Sequence, residues 1–83
     1  MRALGGDAQP VTLLVVNLSP HGLMARVNGS HEAGERLRLT MPTGGTIAAE
    51  VRWSLGGRVG IQFDQAFELA GYYEILAAVL KAK

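Results

Sequence analysis

Residues 46–63 read TIAAEVRWSLGGRVGIQF, a pattern typical of a β-hairpin. Apolar and polar residues alternate on both sides of the Gly56-Gly57 pair. Alternation with a period of two is typical of half-buried strands, and adjacent glycines supply the positive φ angles of a tight hairpin. The apolar positions are Ile47, Ala49, Val51, Trp53, Val59, Ile61 and Phe63. We therefore expect these side chains, Trp53 included, on the core face of an antiparallel sheet.

Further strands are predicted upstream of this hairpin. Leu37, Leu39 and Met41 alternate with polar residues, and the runs 11–18 and 23–27 are short and apolar. Because residues 11–18 are apolar at both alternating positions, we expect that strand to be buried on both faces. Five antiparallel strands of this kind predict a small barrel or a strongly bent sheet.

After residue 64 the apolar period changes to three and four. This spacing predicts an amphipathic helix with Asp64 as its N-cap and with Gly71 close to the barrel. The apolar positions are Leu69, Tyr72, Tyr73, Leu76 and Leu80. The predicted fold class is mainly β, a small antiparallel split β-barrel with one C-terminal α-helix. We expect one domain, with residues 1–10 irregular or the remnant of a first strand, barrel strands in 11–64 and the helix in 65–82.

The composition argues against several classes of protein. A net charge of +1 is too balanced to indicate a nucleic-acid polymer or an anionic membrane as partner. The longest apolar run is far shorter than a membrane span of about 20 residues. Residues 1–10 lack the apolar core of a signal peptide, and the chain has no cysteine. We expect a cytoplasmic protein that does not insert into a membrane.

No catalytic or metal site is predicted. Ser19 and His21 lie two residues apart, but no carboxylate is placed to complete a hydrolytic site. The histidines and the glutamates that follow His31 match no metal-binding spacing. We therefore expect no enzyme, no metal and no cofactor.

Arginines occupy polar positions of three successive predicted strands, where they form a basic stripe on the outer face. They either keep the barrel hydrated, partly paired with Glu50 and Asp64, or bind an anionic partner. The stripe consists of Arg36, Arg38, Arg52 and Arg58.

The segment Asn17-Leu18-Ser19-Pro20-His21-Gly22 resembles the second signature of PilZ domains, (Asp/Asn)-x-Ser-x-x-Gly. The stretches 51–53 and 57–63 are similar to the hairpin that ends the family's barrel, and the order of elements agrees over residues 11–80. PilZ domains are bacterial receptor modules for cyclic di-GMP. The resemblance therefore implies a regulatory module of cyclic di-GMP signalling.

The resemblance also implies a ligand site at Asn17, Ser19 and Gly22. Asn17 would accept hydrogen bonds from a guanine edge, Ser19 would add a hydroxyl contact, and Gly22 would let the backbone approach the ligand. The family's Arg-x-x-x-Arg segment, which makes charge-assisted contacts to guanine and phosphate, is not found in this sequence. Residues 1–10 contain Arg2, which we include among the expected ligand residues. The chain is then either a shortened or a degenerate member, and we expect weak or no binding of cyclic di-GMP.

Two alternatives remain open at this point. Asn-x-Ser-Pro fits equally well a turn in which Asn17 and Ser19 bond the local backbone. A domain without strong nucleotide contacts would instead be a protein–protein interaction module, for example in motility or surface attachment. A homodimer would then cover the barrel surface that an absent first strand leaves open.

Overall fold

The computed structural model describes residues 1–6, 9–41 and 45–81. Within these residues the strands form one antiparallel sheet of seven strands, in the order β2-β1-β5-β6-β7-β4-β3, curled into a half-barrel. The elements are β1 (Arg2–Gly5), β2 (Pro10–Thr12), β3 (Leu14–Leu18), β4 (Gly22–Arg26), β5 (Arg36–Thr40), β6 (Thr46–Leu55), β7 (Arg58–Phe63) and α1 (Leu69–Lys81). The predicted fold class is confirmed, although the expected number of strands was too low. Residues 42–44, part of the predicted turn before β6, lie outside the described residues.

The run 11–18 is not one strand, and this accounts for part of the difference in strand number. Leu13 separates two strands: β2 pairs with β1, whereas β3 pairs with β4. Leu13 is buried and exchanges two hydrogen bonds of 2.8 Å with Met1. The expected burial on both faces is wrong, because Leu14 is 60% exposed and Val16 44% exposed. Val15 and Leu13 are the core residues of this run.

The core lies on the concave side of the sheet, where alternate side chains of the central strands meet. Burial of these apolar side chains removes them from water and is the main favourable contribution to folding. The predicted core positions in β5 and β7 are confirmed, as are those of β6 up to Val51. The buried residues of these strands are Leu37, Leu39, Ala49, Val51, Val59, Ile61 and Phe63.

A β-bulge in β6 moves Trp53 off the core face. Val51 pairs with Ile61, but Trp53 pairs with Gly60, so Arg52 is an extra residue in β6. An extra residue reverses the alternation of side chains beyond it. Trp53 consequently lies on the outer face beside Gly60 and is 43% exposed. The expectation of a buried Trp53 is wrong for this reason.

The helix begins at Leu69, four residues later than predicted, and Asp64 is not its N-cap. The side chain of Asp64 pairs with Arg36 instead. Phe67, in the segment before α1, packs edge-on against Phe63 with ring centroids 5.2 Å apart.

The buried face of α1 is rotated from the predicted one. Ile75 is buried and Val79 packs on the core, whereas Tyr73 and Leu80 are exposed. Gly71 does not mark a close approach, since a Cβ there would meet nothing within 4 Å. The described part of the chain contains no helix with the length and hydrophobicity of a membrane-spanning segment.

Gly22 is the glycine where two strands come closest. A Cβ at this position would overlap the carbonyl oxygen of Ile61 in β7, so Gly22→Ala requires a backbone shift. We expect this substitution to lower the free energy of unfolding by about 1–3 kcal/mol in urea denaturation.

Gly71→Ala is the matched control. It adds the same methyl group where there is room, and it removes the conformational freedom of glycine from a helix, so it should stabilise by about 0.5–1 kcal/mol. Equal effects of the two substitutions would contradict the close approach of β4 and β7.

Candidate ligand site on the outer face of the sheet

A cavity of about 380 Å³ opens on the outer face, between the β3–β4 turn and the paired strands β6 and β7. Its walls combine polar side chains with one aromatic side chain and backbone. The lining residues are Asn17, Leu18, Ser19, His21, Gly22, Leu23, Met24, Arg52, Trp53, Gly60, Ile61 and Gln62. We call this the outer-face cavity.

A single row of paired residues crosses the cavity through four strands. Asn17 of β3 pairs with Met24 of β4, Met24 pairs with Gly60 of β7, and Gly60 pairs with Trp53 of β6. Asn17 reaches this row because β3 has its own bulge, with Val16 as the extra residue. Bulges commonly re-aim side chains in this way. The two ends of the row thus present an amide and an indole to the same cavity.

Trp53 occupies space that exists because residue 60 is glycine. A Cβ at Gly60 would overlap the indole, so the ring lies against the backbone of β7. With 43% of Trp53 exposed, indole surface stays accessible in the cavity. An indole held in this manner is a platform on which a planar base can stack.

The turn between β3 and β4 is held by Ser19. The Ser19 backbone N–H donates to the Gly22 carbonyl at 2.9 Å, and the Ser19 Oγ lies 3.3 Å from the backbone nitrogens of His21 and Gly22. This is the local bonding that the turn interpretation predicts for serine. The Asn17 amide differs, because it is exposed and makes no side-chain hydrogen bond with any described residue.

The structure brings together three of the four residues predicted for the site. Asn17, Ser19 and Gly22 line the outer-face cavity, and Gly22 itself packs against β7. Arg2 lies elsewhere, in β1 between Thr12 and Thr40, and does not line the cavity.

Sequence reasoning missed Arg52, Trp53 and Gln62 as lining residues. A signal was present for Arg52, which the sequence places on the basic stripe. Trp53 carried a misleading signal, because regular alternation assigns it to the core.

The sequence matches the PilZ domain over residues 3–77. The chain belongs to the PilZ domain family. No curated protein and no solved structure matches it. Membership assigns the chain to a family of binding and regulatory domains of cyclic di-GMP signalling.

The charged groups of this PilZ domain form a connected network beside the cavity. Arg52 Nη1 lies 3.2 Å from Glu50 Oε2, and Arg36 Nη1 lies 3.7 Å from Glu50 Oε1. Arg36 also binds Asp64. This hydrogen bond raises the pKa of Arg36 and lowers the pKa of Asp64. Two arginines of the basic stripe are therefore paired with Glu50 and Asp64.

A second polar pair lies away from the outer-face cavity. His31 Nδ1 lies 2.7 Å from Glu35 Oε2 in the loop that follows β4. Among the described residues, no group of three histidine, cysteine, aspartate or glutamate side chains is arranged to hold a metal ion.

Substitutions of Phe63 and Trp53 test the bulge in β6. Phe63 is 3% exposed, so Phe63→Ala should lower the free energy of unfolding by about 3–5 kcal/mol. Trp53→Ala should cost about 1–2 kcal/mol, because a half-exposed ring loses less burial. Urea denaturation measures both, and equal losses would place Trp53 in the core.

The Asp64–Arg36 pair makes stability depend on pH. Since Arg36 lowers the pKa of Asp64 in the folded state, the pair stabilises the fold above the ordinary aspartate pKa of about 3.9. This contribution is lost as the pH falls through the lowered pKa. Asp64→Asn should reduce stability slightly at neutral pH, and the difference from wild type should shrink below about pH 4. In an Arg36→Gln background the same substitution should have little effect, and a persisting difference would contradict the pairing.

Proposed function

We propose that this PilZ domain is a regulatory module that binds cyclic di-GMP weakly in the outer-face cavity. The observation that carries the proposal is the row from Asn17 to Trp53, which places a hydrogen-bonding amide and an aromatic platform across one cavity. We further propose that it acts in the cytoplasm of a bacterium as a binding module, not as an enzyme.

Both ends of the row suit a guanine base. The amide oxygen of Asn17 can accept from the guanine N1–H and N2–H groups, and its side chain has no competing hydrogen bond among the described residues. The indole of Trp53 can stack on the base, an interaction worth about 1–3 kcal/mol per base in single-stranded nucleic-acid complexes. Stacking and edge contacts together distinguish a purine nucleotide from a simple anion.

Binding through these residues should be weak for three reasons. Asparagine has one acceptor oxygen and no charge. The hydroxyl of Ser19 is already used in the turn. Arg2 does not line the cavity. We therefore expect a dissociation constant of roughly 10 μM or weaker. A value of roughly 10 μM corresponds to a binding free energy of about −7 kcal/mol.

Titration with cyclic di-GMP tests the proposal directly. Trp53 is the only tryptophan in the sequence, so its fluorescence reports on the cavity alone. We expect a saturable fluorescence change in wild type and about five- to tenfold weaker binding for Asn17→Ala, which loses the hydrogen bonds to the guanine edge. Asn28→Ala makes the same chemical change outside the outer-face cavity and should bind like wild type.

Two results would count against nucleotide binding in this cavity. One is the absence of both a fluorescence change and a calorimetric heat at millimolar cyclic di-GMP. The other is equal binding by the Asn17→Ala and Asn28→Ala variants. Ser19→Ala is a poorer test, because it also removes the hydrogen bonds that hold the turn.

A nucleotide-independent interaction module is the second candidate. The observation that favours it is apolar exposure on β3, the last strand of the sheet, where Leu14 and Val16 face solvent. An exposed apolar strand at a sheet end is a common place for strand addition, here by a second copy of the chain. Light scattering measures the mass of the nucleotide-free protein. A dimeric mass, together with no cyclic di-GMP binding in the titration, would support this candidate.

A further inference from the structure

Arg52 lines the outer-face cavity next to Trp53, and its guanidinium pairs with Glu50 at 3.2 Å. It is the extra residue of the β6 bulge, and 60% of its side chain is exposed. Among the described lining residues, His21 is the other group able to carry a positive charge. Guanidinium groups bind phosphates through paired, charge-assisted hydrogen bonds. The position of Arg52 therefore suits a phosphate of a nucleotide whose base stacks on Trp53.

Arg52 pairs with Glu50, and Glu50 has a second cationic neighbour, Arg36. One carboxylate oxygen of Glu50 faces Arg52 at 3.2 Å, and the other faces Arg36 at 3.7 Å. If Arg52 leaves, Glu50 keeps a cationic neighbour, so no carboxylate is left without a partner.

The pair is also easy to break. Both side chains are partly exposed, 60% for Arg52 and 34% for Glu50. Ion pairs in such positions contribute little to stability, because water and salt screen them. Glu50 therefore positions the guanidinium of Arg52 through a weak ion pair.

We propose that Arg52 exchanges Glu50 for a phosphate of cyclic di-GMP, so that Glu50 competes with the ligand for this guanidinium. The inference rests on the proposed function and deepens it. It assigns the phosphate contact to a residue outside the (Asp/Asn)-x-Ser-x-x-Gly signature. It also makes Glu50 a residue that lowers affinity.

Three substitutions separate this exchange from a general effect of charge. Arg52→Gln removes the phosphate contact and should weaken cyclic di-GMP binding at least about tenfold in calorimetry. Arg38→Gln removes the same charge from the neighbouring strand β5, outside the cavity, and should stay within about twofold of wild type. Glu50→Gln removes the competitor and should tighten binding by about two- to fivefold, the range expected for an exposed ion pair.

The gain of affinity in Glu50→Gln is the sharpest result, because a variant that is merely damaged does not bind better. It also keeps the test valid if Arg52→Gln fails to fold, which thermal unfolding would reveal. Arg52→Lys keeps the charge but loses the planar pair of donors, so its affinity should fall between wild type and Arg52→Gln.

The outcomes for the inference and for the proposed function differ. Equal affinities of Arg52→Gln and Arg38→Gln, with measurable wild-type binding, would overturn the role of Arg52 alone. Unchanged or weaker binding by Glu50→Gln would overturn the competition. Absence of wild-type binding would overturn the proposed function, and the inference with it.

Discussion

The side-chain alternation of a β-strand is interrupted in β3 and in β6, and the candidate site depends on these interruptions. With regular pairing Asn17 would face Leu23 and Trp53 would face Val59, both on the core side. An amide would then be buried among apolar side chains, which is unfavourable unless it finds hydrogen-bonding partners. Each bulge instead moves one side chain of the candidate site to the outer face. The same fold without bulges would have a larger core and no amide–indole row.

Two glycines make the bulged arrangement possible. Gly22 lets β4 lie directly against the Ile61 carbonyl, and Gly60 leaves space for the indole of Trp53. Glycine inside a strand lowers stability, since it loses more conformational freedom on folding and contributes no side chain to packing. At both positions the close packing at the site outweighs the lower strand stability that glycine causes. Gly22 also ends the turn that Ser19 holds, so the geometry of turn and cavity are set together.

The sequence predicted correctly those strands in which apolar and polar side chains alternate without interruption. Leu37, Leu39 and Phe63 alternate regularly in strands with one buried face, and the structure buries them all. Trp53 followed the same pattern, but a bulge is set by pairing with another strand and leaves no mark in local alternation. The helix α1 begins at Leu69 and not after Asp64, whose side chain pairs with Arg36, a residue distant in sequence. Within the site, the signature residues could be located by their motif, whereas Arg52 and Trp53 required the pairing register.

The charge network bears on how the proposed site would bind a dianion on a nearly neutral chain. Asp64, Arg36, Glu50 and Arg52 alternate in sign from the end of β7 to the cavity, so positive and negative charges balance in the free protein. Such a surface exerts little long-range attraction on an anion, because opposite charges this close cancel beyond about a Debye length. In the proposed exchange, the electrostatic contribution would arise at contact, when a phosphate replaces one carboxylate beside a guanidinium. Stacking and edge hydrogen bonds would select the base first, and the ion-pair exchange would complete binding only for a ligand that carries both.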